Sequence, residues 1–290
     1  MIADYPILMN SRTARAIDLF AKKPAQFVWL CGSVGAGKHY LARYLAAKLL
    51  GFKTVAELDS FPFYKAITKL DKQSEIPIET VRQIIRDSRL SLPGDKAVRQ
   101  VVVVENAHQL SLPAQNALLK TLEEPAPATV FIITAPDNQY LLETIKSRAQ
   151  KISVWPVDNR KAIDFFGQTY SQDQITKAWL ISRGDVGSMT ALLKNQEHPM
   201  RQAINVAKQL VNQSPLERIS TLETETDEFV DILLGLDRVF RVLQIAAINN
   251  SDNRSSAYWQ SRRQLIDELT IDALTQANPK LLKLQLAVNL

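Results

Sequence analysis

Short runs of β-branched and aromatic residues alternate with longer stretches of 3.6-residue periodicity through the first half of the chain. Phe27–Cys31 is an apolar run that ends in glycine, and residues 38–50 follow it with Leu41, Tyr44, Leu45 and Leu49 at helical spacing. A second apolar stretch covers 61–67, and just past Pro77 the positions Ile78, Val81, Ile84 and Ile85 mark another helix. Residues 101–104 are four consecutive valines, the pattern of a strand buried on both faces. The segment 112–124 reads as a helix, with Ser111 as N-cap, Pro113 in its first turn and Pro125 ending it. Runs at 130–133 and 151–154 supply two more strands. Strands separated by helices predict an α/β domain with a parallel sheet covered on both faces.

After Trp155-Pro156 the strand pattern stops. From 158 to 290 the periodicity is helical throughout, as in Phe229, Ile232, Leu233, Leu236 and Phe240, with polar breaks at 182–188, 212–215 and 249–256. The expected organisation is an α/β domain over 1–156, a small helical domain over 157–200 and a second all-α domain over 201–290. No internal repeat or low-complexity tract interrupts it.

The 290 residues suit two domains or one large one, with three small ones also within range, and 46% apolar with 22% charged residues excludes a wholly disordered chain. One cysteine, Cys31, makes no internal disulfide, and no Cys/His cluster offers four zinc ligands. No apolar run approaches the length that spans a bilayer and no signal pattern opens the chain, so a soluble, cytoplasmic protein is expected. The net charge of +5 is uneven: residues 1–156 hold 20 Lys/Arg against 14 Asp/Glu, and 157–290 hold 15 against 16. A polyanion should meet the first half.

Three of only nine glycines fall in Gly32-Ser33-Val34-Gly35-Ala36-Gly37-Lys38, between a predicted strand and a predicted helix. This is the setting of a phosphate-binding loop: glycines turn backbone N–H groups inward, the helix N-terminus adds partial positive charge, and the lysine bridges outer phosphates. The next residue in such a loop is Ser or Thr, whose hydroxyl ligates Mg²⁺. Here it is His39, which offers nitrogen. The valine strand runs into Glu105-Asn106 where an acidic pair would arrange metal and polarise water, and Asn106 cannot take a proton. Autonomous ATP hydrolysis should therefore be slow or absent, with nucleotide binding left open.

The run from Val101 through Asn106, Ala107 and His108 to Leu110 joins three further segments: Ala114-Gln-Asn-Ala-Leu-Leu-Lys-Thr-Leu-Glu-Glu-Pro125, Phe131-Ile-Ile-Thr134 and Thr144-Ile-Lys-Ser-Arg-Ala149. Together they resemble the AAA+ clamp-loader subunits of bacterial DNA polymerase III. The resemblance is close over about residues 8–155 and covers only helical character beyond. Pro77-Ile-Glu-Thr-Val-Arg-Gln-Ile-Ile85 is similar to the delta-prime branch, a better match than the ATP-hydrolysing gamma/tau branch because the catalytic elements are degraded. The resemblance implies a RecA-like AAA+ domain, a helical lid and a helical collar that joins other subunits in a ring.

It also implies roles for particular residues. Ser147-Arg148-Ala149 stands where the family has Ser-Arg-Cys, whose arginine enters the ATP site of the adjacent subunit, so Arg148, with Ser147, is expected to act in trans on a neighbour's γ-phosphate. Gly32, Gly35, Gly37, Lys38, His39 and Glu105 would contact any ATP, with Mg²⁺ only alongside it. The family's lid arginine would fall near Ser188, and the four-cysteine zinc module is absent from 51–60. Arg82, Arg86 and Arg89 lie on one helical face and are weaker candidates for duplex phosphates; His108 reads as a packing residue. Expected partners are gamma/tau-like and delta-like subunits, the sliding clamp and primed DNA. The alternatives are an active gamma-type ATPase and a free-standing phosphate-loop kinase, the latter disfavoured by the all-helical second half.

Overall fold

A computed structural model describes residues 7–69, 75–88, 95, 97–123, 126–136, 141–194, 199–224, 229–274 and 278–290. The chain forms two compact units, Met1–Val157 and Asp158–Leu290.

The first unit runs α1 (Ser11–Lys22), β1 (Phe27–Cys31), α2 (Lys38–Leu50), β2 (Tyr64–Ile67), α3 (Ile78–Ser88), β3 (Gln100–Val104), α4 (Leu112–Glu123), β4 (Thr129–Ala135), α5 (Glu143–Lys146) and β5 (Gln150–Ser153). Its five strands are parallel in the order β2-β3-β4-β1-β5. The near-continuous apolar strands are explained by what lies on either side. Because side chains alternate across a strand, Val28, Leu30, Val101, Val103 and Ile132 pack with Ile17 and Phe20 of α1 and Leu41 and Leu45 of α2. Phe27, Trp29, Val102, Val104 and Ile133 pack on the other face with Val81 of α3, Leu118 of α4 and Ile145 of α5. Sheet and both helical layers therefore form the α/β sandwich that the sequence predicts.

Two details differ from the pattern reading. Helix α1 escaped notice because its buried stripe is short, only Thr13, Ile17 and Phe20; Asn10 caps it, accepting from the Arg12 amide at 2.9 Å. Thr13 ties it to the end of β5, donating to Ser153 O at 3.2 Å and accepting from Trp155 N at 2.9 Å. The apolar stretch at 61–67 is strand only from Tyr64 onward, because Phe61 and Phe63 stack edge-to-face in the preceding turn, with ring centroids 5.5 Å apart.

The second unit is helical: α6 (Asn159–Phe166), α7 (Gln172–Ser182), α8 (Val186–Leu193), α9 (Pro199–Val211), α10 (Pro215–Thr224), α11 (Phe229–Asn249), α12 (Asn253–Leu274) and α13 (Pro279–Asn289). The segments 157–200 and 201–290 distinguished in the sequence both lie within it, apart from Val157 at its border. The break expected at 182–188 is shorter than read, since Asp185 already precedes the first turn of α8. Ile232, Leu233, Leu236 and Phe240 of α11 form the buried stripe, and Phe240 stacks on Trp259 of α12 at 5.4 Å. No described helix is long and apolar enough to cross a membrane.

Candidate functional site

Strand order decides which loops meet. Chain order reverses at β1, which sits between β4 and β5, and ligands of open parallel sheets bind beyond the carboxyl ends of strands at such a reversal. The glycine-rich turn leaves the carboxyl end of β1, Glu105 leaves that of β3, and β4 between them ends in Thr134 and Ala135.

Each part of the turn has a steric reason. A Cβ on Gly32 would lie 3.0 Å from Val154 O and 3.1 Å from Val154 Cβ, so any side chain there would press on the residue that follows β5. Gly37 caps α2 at φ 85°, a left-handed conformation that side chains resist. Lys38 is buried, and its ammonium donates to Gly32 O at 2.9 Å and Ser33 O at 2.6 Å, curling over the turn.

His39, the next residue, reaches across the end of β4. Its Nδ1 lies 2.5 Å from Glu105 Oε1, with the imidazole half exposed and the carboxylate nearly buried. The two positions from which a metal-ligating hydroxyl and carboxylate would be expected thus engage each other. Asn106 is exposed in a left-handed conformation (φ 49°), and its amide donates to Thr134 Oγ1 at 2.9 Å. Among the described residues, no group of three or more His, Cys, Asp or Glu could hold a metal ion. His108 lies in the short turn between β3 and α4. Burial, then the charges of Lys38 and Lys69, push its pKa down to about 4, so it is neutral near pH 7.

Arg148 stands at the other end of the sheet. It precedes β5, and β5 is parallel to β1 with Gln150 beside Val28, so Arg148 lies at the amino-terminal edge while the glycine turn lies at the carboxyl edge. The stretch from Val28 to Gly32 alone spans about 13 Å. Arg148 is partly exposed; it donates to Thr144 O at 3.1 Å and to Glu123 Oε1 at 2.9 Å. Ser147 Oγ donates to the same Thr144 carbonyl at 3.1 Å, which closes the end of α5.

Pattern reading missed three residues of this region as individuals. Glu123, at the last position of α4, holds Arg148. Gln115, 6% exposed, donates to Leu110 O at 3.3 Å and accepts from Leu142 N at 3.0 Å, joining the segment after β3 to the one before α5. Thr134 fixes Asn106. All three lay inside segments singled out for their resemblance, but their partners lie 25 to 28 positions away. Arg82 and Arg86 are both exposed on α3, and Arg86 donates to Gln83 Oε1 at 2.5 Å. Arg89 and Pro125 lie outside the described residues. Ser188 is buried on α8, and its hydroxyl finds no hydrogen-bond partner among the described residues.

Residues 18–158 match the family described as DNA polymerase III, delta subunit. The chain is 32% identical over 144 residues to DNA polymerase III subunit delta' of Haemophilus influenzae, covering 49% of this chain and 39% of that protein. It is 29% identical over 147 residues to the subunit of the same name from Escherichia coli, covering 49% and 43%. The matched stretch thus spans about two fifths of the length of these relatives. A solved DNA polymerase III gamma-subunit-related protein from Thermotoga maritima aligns over 96% of this chain and 97% of its own, at 17% identity and TM-score 0.48.

Proposed function

We propose that the chain, which over residues 18–158 matches the DNA polymerase III delta-subunit family and is similar to delta' subunits, is a delta-prime-like, ATPase-deficient clamp-loader subunit that lends an arginine to a neighbour's ATP site. The observation that carries this reading is the position of Arg148. At the sheet edge opposite its own glycine turn, it has no route to a phosphate there, yet it is partly exposed and aimed by Thr144 O and Glu123. A guanidinium so placed serves a phosphate on another subunit, where it offsets charge developing during phosphoryl transfer. The Glu123 pair is exposed and therefore weak, so exchange of that carboxylate for a phosphate costs little.

The other sheet edge supports the same reading. The glycine turn and Lys38 have the shape that fits a phosphate chain, whereas His39 and Glu105 do not fit Mg²⁺: one offers nitrogen to a hard cation and the other is engaged by that nitrogen. Asn106 supplies no base for water. The subunit would work in the cytoplasm within a hetero-oligomeric loader, beside gamma/tau-like and delta-like subunits, as the sliding clamp is placed on primed DNA. Arg82 and Arg86 would face duplex phosphates without reading sequence. The test is reconstitution with an ATP-hydrolysing clamp-loader subunit. Arg148→Ala should lower ATPase while the assembly elutes unchanged in size, and an unaltered steady-state rate with clamp and DNA present would refute the assignment.

A further inference from the structure

The helical unit carries a charge imbalance that the proposed role does not use. Arg183 ends α7 in the left-handed conformation usually left to Gly or Asn (φ 57°), and its guanidinium donates to Asp237 Oδ2 on α11. Arg263 of α12 takes the other oxygen, Nε to Asp237 Oδ1 at 2.8 Å, and donates from Nη1 to Gln244 Oε1 at 3.1 Å. Arg238, 6% exposed, spends its donors on Asp185 Oδ2 at 3.4 Å and Ile181 O at 3.2 Å. One turn beyond Asp237 comes Arg241, part-buried among the same groups. Burial disfavours its charge first, then repulsion from Arg183 and Arg263, against which only Asp237 acts. No carboxylate among the described residues lies within ion-pair distance of Arg241.

Four arginines therefore face two aspartates, and both oxygens of Asp237 are already taken. Among the described residues, two positive charges remain without a counter-charge in a partly desolvated place, which is costly unless an anion completes it. The cluster is open to one: the side chains of Arg183 and Arg263 are 37% and 28% exposed. Each guanidinium has five N–H donors, and those already used leave several for a ligand.

We propose that Arg183, Arg241 and Arg263 form a binding site for a phosphate dianion, a phosphomonoester or pyrophosphate group, with Asp237 holding two of the guanidinia in place. The charge selects the ligand. A terminal phosphate brings about −1.5 to −2 at neutral pH and matches the excess, while a carboxylate or phosphodiester brings one charge. Guanidinium forks also match phosphate oxygens in pairs. The site lies wholly in the helical unit and stands or falls apart from the trans-arginine reading.

The experiment uses the full chain carrying Lys38→Ala, so that the glycine turn contributes nothing, and titrates inorganic phosphate and pyrophosphate calorimetrically at fixed ionic strength, with acetate and dimethyl phosphate for comparison. Phosphate and pyrophosphate should bind, the monoanions at least tenfold more weakly. Adding Arg241→Gln should weaken phosphate at least tenfold without lowering the unfolding temperature of the ligand-free chain, since it removes an uncompensated charge. Arg241→Lys, which keeps charge but not the fork, should fall between. Phosphate binding that Arg241→Gln leaves unchanged, that disappears with Lys38→Ala alone, or that acetate equals would overturn the proposal. So would a ligand-free Arg241→Gln chain markedly less stable than its parent.

Discussion

Replacing His39 by threonine puts back the hydroxyl that a metal site needs and frees the carboxylate it pairs with. The imidazole is 2.5 Å from Glu105 Oε1, with side-chain exposures of 50% and 11%. A hydrogen bond to a charged group contributes about 1.5–3 kcal/mol, and with half the imidazole in water the lower end applies, discounted to roughly 1 kcal/mol. His39→Thr should therefore lower stability by about that amount without ligand. In return the introduced hydroxyl and the released Glu105 carboxylate would present two oxygen donors beside the glycine turn, the chemistry Mg²⁺ prefers. The assay is titration of the isolated chain with a fluorescent ATP analogue, with and without Mg²⁺. Mg²⁺ should leave the affinity of the unaltered chain nearly unchanged and tighten that of the variant at least tenfold, or about 1.4 kcal/mol. Hydrolysis should stay at background in both, because Asn106 remains. If Mg²⁺ tightens binding to the unaltered chain as much as to the variant, His39 does not obstruct the metal and the reasoning fails.

Three further substitutions test separate parts of the structure. Gly32→Ala drives a Cβ to 3.0 Å from a backbone oxygen of Val154 and should destabilise by about 1–3 kcal/mol in denaturant unfolding; a neutral effect would show that β5 yields easily. Gln115→Leu keeps volume but strands the Leu142 amide, so it should cost about 1–3 kcal/mol and speed hydrogen exchange at Leu142; unaltered exchange there would count against the bridge. His108 has a depressed folded pKa, so the unfolded chain binds its proton first as pH falls. Its contribution is complete above 6.5 and is lost on going down toward about 4. His108→Asn should flatten that part of the stability–pH curve, and an identical slope in the variant would place the titration elsewhere.

How much was legible follows from how local each feature is. The valine run before Glu105 and the helix that begins at Lys38 are written in contiguous residues, and the observed elements fall on them nearly residue for residue. Helix α1 buries only three residues and left too faint a stripe, while the aromatic 61–63 segment imitated strand because turn packing and sheet burial select the same residue types. The identities of the site residues were visible as departures from a motif, but not their contacts. His39 meets Glu105 across 66 positions because β1, which leads into α2, and β3, which leads into Glu105, flank the same strand β4, and that order is a tertiary fact. The arginine cluster is more remote still: Arg183 and Asp237 are 54 apart, and each alone reads as an ordinary solvated charge.

The central claim, that the chain's own phosphate site is chemically idle while its arginine serves a neighbour, is tested most directly by one paired measurement. Steady-state ATPase of the reconstituted assembly, with clamp and primed DNA, is compared for Lys38→Ala and Arg148→Ala. Fingers of this kind contribute roughly 10³–10⁵ in rate at the site they face, so Arg148→Ala should remove that site's share of turnover, and Lys38→Ala should leave the rate as it was. A fall in rate with Lys38→Ala and none with Arg148→Ala would contradict the account.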